Sequence, residues 1–183
     1  MDNKKYVYIF TDGACSGNQN DENLGGWGAI LEYGNHSKEL YGNEINTTNN
    51  RMEMSALIAA LEALNKKDLN IIVFSDSSYL LNCLKDKWYI KWQQNGWKTA
   101  TKKPVENQEL WEKLISLIEN QKISYYLVKG HINISSKSID LNKVYSRFVE
   151  NNGDAFSYDA FLHITKRNND ADSLANKGIS ELE

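Results

Sequence analysis

From Met52 to Leu64 the chain reads Met-Glu-Met-Ser-Ala-Leu-Ile-Ala-Ala-Leu-Glu-Ala-Leu, mostly strong helix formers with no glycine or proline. Met54, Leu57, Ile58, Leu61 and Leu64 recur at the helical period, while Ala56, Ala59, Ala60 and Ala63 make a second face of small residues. A helix that is apolar nearly all round must be buried, with other backbone packed close against it. Glu53 lies one turn from its start, on the face of Ala56, Leu57 and Ala60. A carboxylate there is costly unless it is paired or holds a metal. Asn50-Arg-Met-Glu53 also fits a capping box in which Glu53 turns back to the Asn50 amide, and the helix taken alone favours that reading.

The elements around this helix alternate between strand and helix. Tyr6-Val-Tyr-Ile-Phe-Thr11 is apolar on both faces, as a central strand covered on both sides would be. Asp12-Gly13 after it is a turn signal. Gly25-Gly-Trp-Gly28 opens a second strand through Tyr33, and Ser37 to Glu44 reads as a third, giving a meander. Ile71–Phe74 is another buried strand, stopped by Ser75-Asp-Ser-Ser78, which can cap a helix from about Tyr79. Leu110, Leu114, Leu117 and Ile118 mark a further helix, Ile123 to Val128 a last strand, and Leu174-Ala-Asn-Lys-Gly178 a short terminal helix with a glycine stop. This is one α/β domain spanning residues 1–183.

The 183 residues are 41% hydrophobic and 25% charged, an ordinary globular balance. The net charge of −3 excludes a global basic field. Cys15 and Cys83 are too few for a disulfide framework and suit a reducing cytoplasm as free thiols. No segment is long and apolar enough for a membrane span. The expectation is a cytoplasmic, monomeric protein with no membrane or protein partner implied.

Asp12 and Asp76 both follow apolar strands, where ligand sites of open α/β sheets lie. Each also has a local explanation: a turn for Asp12, a helix cap for Asp76, a surface position for His131, and the helix dipole for Asp172. Their order is more specific. Asp12-Gly-Ala-Cys-Ser-Gly-Asn18, Thr47-Thr-Asn-Asn-Arg-Met-Glu53, Ser75-Asp-Ser77, Asn95-Gly-Trp-Lys-Thr99, Val128-Lys-Gly-His131 and Ala171-Asp-Ser-Leu-Ala175 resemble, in sequence order, the motifs of type 1 ribonucleases H. The resemblance covers Tyr6 to Gly178 apart from one insertion. It implies a ribonuclease H-like α/β fold, a five-stranded mixed sheet flanked by helices, with an insertion before the C-terminal helix. It also implies hydrolysis of the RNA strand of RNA/DNA hybrids, leaving 5′-phosphate and 3′-hydroxyl ends. The catalytic carboxylates fall on Asp12, Glu53, Asp76 and Asp172, and the catalytic histidine on His131. Asp170 lies close enough to compete with Asp172, but the Asp-Ser-Leu-Ala spacing favours Asp172.

Four converging carboxylates raise one another's pKa unless cations balance them. An all-oxygen donor set selects Mg²⁺, two per site, with Mn²⁺ as a substitute. Between Lys85 and Lys103, six lysines against one aspartate give a local charge of +5, interleaved with Trp88, Trp92 and Trp97. Cations beside aromatic planes suit a nucleic-acid backbone, although Trp92 and Trp97 also fit a core. By resemblance this is a basic protrusion that grips the DNA strand, through Trp88, Lys98, Lys102 and Lys103. Thr48 and Asn107 match positions that hold a DNA phosphate, and Asn18, Asn49 and Asn50 match residues that read the minor groove, where the 2′-hydroxyl marks RNA.

Two departures from the family pattern stand out. Gln19 to Leu24 is acidic where relatives have a Gly- and Pro-rich loop. His131 and Asp172 are separated by an insertion of about residues 133–167, where close relatives have a short loop. Leu141, Val144, Tyr145 and Phe148 fit a helix stripe in this segment, and Phe156 and Phe161 flank Ser157 as a staple would at the start of a second short helix. The segment is expected to fold over the catalytic face as a gate outside the core. A hybrid-binding protein without catalysis is the alternative function, and an integrase-type nuclease is disfavoured because that group lacks the Trp-Lys protrusion.

Overall fold

Side chains alternate across a strand, so a strand apolar on both faces must be covered on both. Val7 and Ile9 of β1 (Val7–Gly17) enter one buried cluster and Tyr8 and Phe10 the other. Ile71 and Val73, against Ile72 and Phe74, repeat the division in β4 (Asn70–Ser75). The computed structural model describes residues 1–2, 5–17 and 23–183. Its remaining strands are β2 (Asn23–Tyr33), β3 (His36–Ile45) and β5 (Lys122–Leu127). The sheet order is β3-β2-β1-β4-β5, with β1–β2 and β2–β3 antiparallel and β1–β4 and β4–β5 parallel. The expected five-stranded mixed sheet is therefore present.

On one face lie α1 (Asn49–Glu62), α2 (Ser78–Lys85) and α4 (Gln108–Ile118), whose Met54, Leu57, Leu80, Trp111 and Leu114 complete the first cluster. The short α3 (Trp88–Gln94) leads into the Lys98–Pro104 bridge of the basic segment. There Trp92 and Trp97 pack against the core, with Trp92 edge-on to the buried Trp111 at 5.3 Å, while Trp88 stays 40% exposed. On the other face lie α5 (Leu141–Asn152) and α6 (Tyr158–Ser180).

The fold corrects four local expectations. Asp12-Gly13 is no turn: β1 continues through it to Gly17, paired in register with β2 (Asp12↔Gly28, Gly13↔Trp27). Gly13 is there because α1 crosses it so closely that a Cβ would strike the Glu53 amide. The Asn50–Glu53 capping box does not form, because the cap is Thr48, whose hydroxyl accepts the Arg51 N–H at 3.3 Å. Gly178 stops no helix; it lies within α6, packed where a Cβ would meet the Gly42 carbonyl of β3.

The fourth correction is the largest. There is no second short helix after Ser157, which instead caps a single 23-residue α6, its hydroxyl accepting the Ala160 N–H. Asp172 thus sits in the middle of a long helix, not in the first turn of a short one. Nor does the segment from 133 to 167 lie outside the core. Phe148, Phe156, Phe161 and Ile164 are buried against Tyr8, Phe10 and Phe74, with Phe74 and Phe156 edge-on at 5.4 Å. The aromatic surface of β1 and β4 on this face needs a cover, and the segment supplies it. Phe161→Ala should therefore cost about 3–5 kcal/mol of stability in a urea titration. A loss under about 1 kcal/mol would put the segment back outside the core.

Candidate active site

β1 and β4 run parallel with Thr11 opposite Ser75, so the next residues, Asp12 and Asp76, emerge side by side where that pairing ends. Glu53 reaches the same point from the first turns of α1, over the space that Gly13 leaves free. Oxygens of Asp12, Glu53 and Asp76 all lie within 4.8 Å of one another. Asp12 is 4% and Glu53 7% exposed.

The local wiring keeps this cluster in place. The Gly13 N–H donates to Asp12 Oδ1 at 2.8 Å and also supports the Glu53 carboxylate. The fully buried Ser75 donates its hydroxyl to Glu53 Oε2 at 3.4 Å and accepts the Ser77 N–H at 3.1 Å. From the loop after β5, Gly130 comes so close to Asp76 that a Cβ would collide with Asp76 Oδ2.

The electrostatics follow from burial and mutual repulsion. Loss of water, then the charges of Asp76 and Asp172, push Asp12 up to about 8. Burial, then Asp12 and Asp76, raise Glu53 well above the usual carboxylate range. Asp76 is raised chiefly by burial, partly offset by the neighbouring His131. Asp12 Oδ2 is buried with no hydrogen-bond partner among the described residues. No lysine or arginine pairs with these three acids among the described residues. An orphaned carboxylate oxygen among convergent acids, with no protein cation to balance it, fits a bound metal ion.

Asp172 and His131 stand beside the cluster. The His131 Nδ1 to Asp172 Oδ2 separation is 3.7 Å, a charge contact too long for a hydrogen bond. His131 adopts a left-handed conformation (φ 56°) and is 73% exposed in its side chain. Its loop is tied to α6 by Asn169, whose amide donates to the Ile132 carbonyl at 2.7 Å. Asp170 is turned to other work, bonded to Lys166 at 3.0 Å and Arg167 at 3.1 Å. The structure thus brings Asp12, Glu53 and Asp76 together, sets Asp172 and His131 at their edge, and leaves Asp170 paired elsewhere.

The described residues expected to touch substrate lie at the start of α1, just before α4, and in the segment from Trp88 to Pro104. Thr48 and Asn107 are joined through Arg51, which donates to Asn107 Oδ1 at 3.1 Å and pairs with Glu44 and Glu109. Asn49 and Asn50 are exposed in the first turn of α1. Lys98, Lys102 and Lys103 are exposed around the Lys98–Pro104 bridge. Asn18 falls outside the described residues. Arg51, Ser75 and Gly130 escaped the sequence reading, although each lies inside a motif that it used.

The RNase H family model matches residues 4–180. The chain belongs to the RNase H family. A ribonuclease H of Chlorobaculum parvum is 51% identical over 128 residues, 70% of this chain and 85% of that protein. A ribonuclease H of Acetivibrio thermocellus is 54% identical over 127 residues, 69% and 84% of the two chains. A ribonuclease HI of Neisseria meningitidis serogroup B is 47% identical over 125 residues, 68% and 83%. Among solved structures, LC9-RNase H1, a type 1 RNase H with the type 2 active-site motif, superposes with a TM-score of 0.62 at 21% identity, covering 88% of this chain and 85% of that one. LC11-RNase H1 in complex with RNA/DNA hybrid gives 0.57 at 19% identity, covering 96% and 98%. These superpositions establish an RNase H fold. No helix among the described residues is long and apolar enough to cross a membrane.

The raised carboxyl pKa values fix a sign for stability. Between about pH 4 and pH 8, the raised value favours a proton on Asp12 in the folded, metal-free protein that the unfolded chain, with an ordinary value of 3.8, has lost. Asp12 therefore withdraws stability as pH rises from about 4 to about 8. Relative to wild type, Asp12→Asn should gain about 2 kcal/mol or more at pH 8 and nothing below pH 4, read from urea titrations in chelator. A difference that does not grow with pH would contradict the strained cluster.

Proposed function

We propose that the chain is a divalent-cation-dependent endoribonuclease that hydrolyses the RNA strand of RNA/DNA hybrids, leaving 5′-phosphate and 3′-hydroxyl ends. The observation that carries this reading is the convergence of Asp12, Glu53 and Asp76 at the end of the parallel strands of an RNase H-family chain. The whole chain, 1–183, acts as one catalytic domain.

Asp12, Glu53, Asp76 and Asp172 hold Mg²⁺, two ions per site, with Mn²⁺ able to substitute at donors that are all oxygen. Bound there, such cations supply Lewis-acid polarisation of the phosphate and an acidified water. By holding cations there, the carboxylates would let the reacting phosphate and the water be placed in line, which is most of what catalysis needs when the protein does little covalent chemistry itself. The water oxygen bonds to phosphorus as the bond to the 3′-oxygen breaks. His131, largely exposed beside Asp172, takes the proton that the water gives up and passes it to solvent, and the departing 3′-oxygen takes a proton from solvent to become the 3′-hydroxyl.

Recognition is divided along the hybrid. Thr48 and Asn107, bridged by Arg51, hold a DNA phosphate. Asn18, Asn49 and Asn50 read the minor groove, where the 2′-hydroxyl identifies RNA. Trp88, Lys98, Lys102 and Lys103 contact the DNA backbone by stacking and charge. The protein works in the cytoplasm as a monomer.

The test is cleavage of matched hybrid, double-stranded RNA and double-stranded DNA in Mg²⁺. The expected result is cleavage of the hybrid alone, in its RNA strand. Asp12→Asn should bind hybrid but cleave at less than about a tenth of the wild-type rate, a barrier rise of at least ~1.4 kcal/mol. Wild-type protein that binds hybrid without cutting it would leave a binding protein in place of an enzyme.

A further inference from the structure

Next to the carboxylate cluster, between the end of β5 and α5, lies a recess of about 470 Å³. Asp76 and His131 form one end of it, Val144 and Phe148 its apolar wall, and Lys129 and Arg147 its charged lining. Neither Lys129 nor Arg147 has an ion-pair partner among the described residues. The one carboxylate on the lining, Asp76, points to the acid cluster. The recess is thus a cationic pocket sharing a wall with an anionic one.

The wall that carries Arg147 is rigid. β5 is an edge strand, and the backbone groups that Leu127 turns away from its β4 partner Ser75 are satisfied by a side chain of α5. The Leu127 N–H donates to Asn152 Oδ1 at 2.9 Å, and the Asn152 amide donates back to the Leu127 carbonyl at 2.7 Å. Higher on the helix, the Tyr145 hydroxyl donates to the Phe156 carbonyl at 2.8 Å, and Phe148 packs on Phe161 at 5.5 Å. With Val144 and Phe148 turned inward, Arg147 is delivered to the recess by a helix fixed at several points. A cation held on a rigid element loses little freedom when it binds an anion.

We propose that this recess is a second phosphate subsite. Arg147, helped by Lys129, grips the RNA-strand phosphate next to the one that is cleaved. The proposal rests on the nuclease reading above, which places the scissile RNA phosphate at Asp12, Glu53 and Asp76. Neighbouring phosphates of one strand are a single nucleotide apart, and the recess adjoins the cluster through Asp76 and His131. An arginine fork on a phosphate makes short, charge-assisted bonds, so the contact sets the register of the RNA strand in the site.

The experiment is a binding scan with hybrids in which one phosphate at a time is replaced by an uncharged methylphosphonate, in both strands. It is run on Asp12→Asn protein, with and without Arg147→Ala, so that the hybrid stays intact. Without the second change, neutralising one RNA phosphate beside the cleavage position should weaken binding about fivefold to tenfold. With Arg147→Ala, that position alone should fall silent, to less than about twofold, and Arg147→Lys should restore part of the effect. Unchanged sensitivity at every RNA position would overturn the proposal. So would silence at a DNA position, which would assign the recess to the other strand. Failure of wild-type protein to cut hybrid would instead sink the nuclease reading, and the binding scan would still score the recess.

Discussion

Three carboxylates held within 4.8 Å of one another, two of them nearly sealed from water, are an expensive arrangement. Hydrogen bonds from Gly13 and Ser75 offset only part of the cost: burial and mutual repulsion both favour protonation. They persist because rigid elements set them there. β1 and β4 are locked in parallel register, α1 is fixed by its packing, and two backbone approaches, at Gly13 and Gly130, leave no room for side chains. The surrounding fold supplies the stability that the site withdraws, as is usual where function conflicts with local preference.

The long α6 ties the site to the rest of the molecule. Its first turns bury Phe161 and Ile164 against the aromatic face of the sheet, and its middle presents Asp172 to His131. Asn169, between these regions, holds the His131 loop. A segment that separates two site residues in sequence is, in three dimensions, part of the frame that holds both. The same segment supplies α5, so the recess at Arg147 and the cover of the core come from one piece of chain.

Much of this was legible in the sequence, for identifiable reasons. Runs such as Ile71–Phe74 are apolar on both faces and fit only a covered strand, and the buried helix with Glu53 announced a carboxylate in need of a partner. Asp12-Gly13 misled because a glycine needed for close helix packing looks the same as a turn glycine. Gly178 misled in the same way. The role of residues 133–167 was illegible because the surface they cover belongs to β1 and β4, far away in the chain. Arg51 was hidden by its position inside a motif whose neighbours drew the reading, since its partners Glu44 and Glu109 come together only in the fold.

Burial and mutual repulsion favour protonation of this acid cluster, and a divalent cation bound there would let it ionise. Calorimetric titration with Mg²⁺ at pH 7, in buffers of different ionisation enthalpy, measures it directly through the protons released on binding. The account predicts release of about one proton or more per protein, loss of most of that release in Asp12→Asn, and tighter binding as pH rises toward 8. Mg²⁺ binding with no proton release and no dependence on pH would show carboxylates already ionised, and would contradict it.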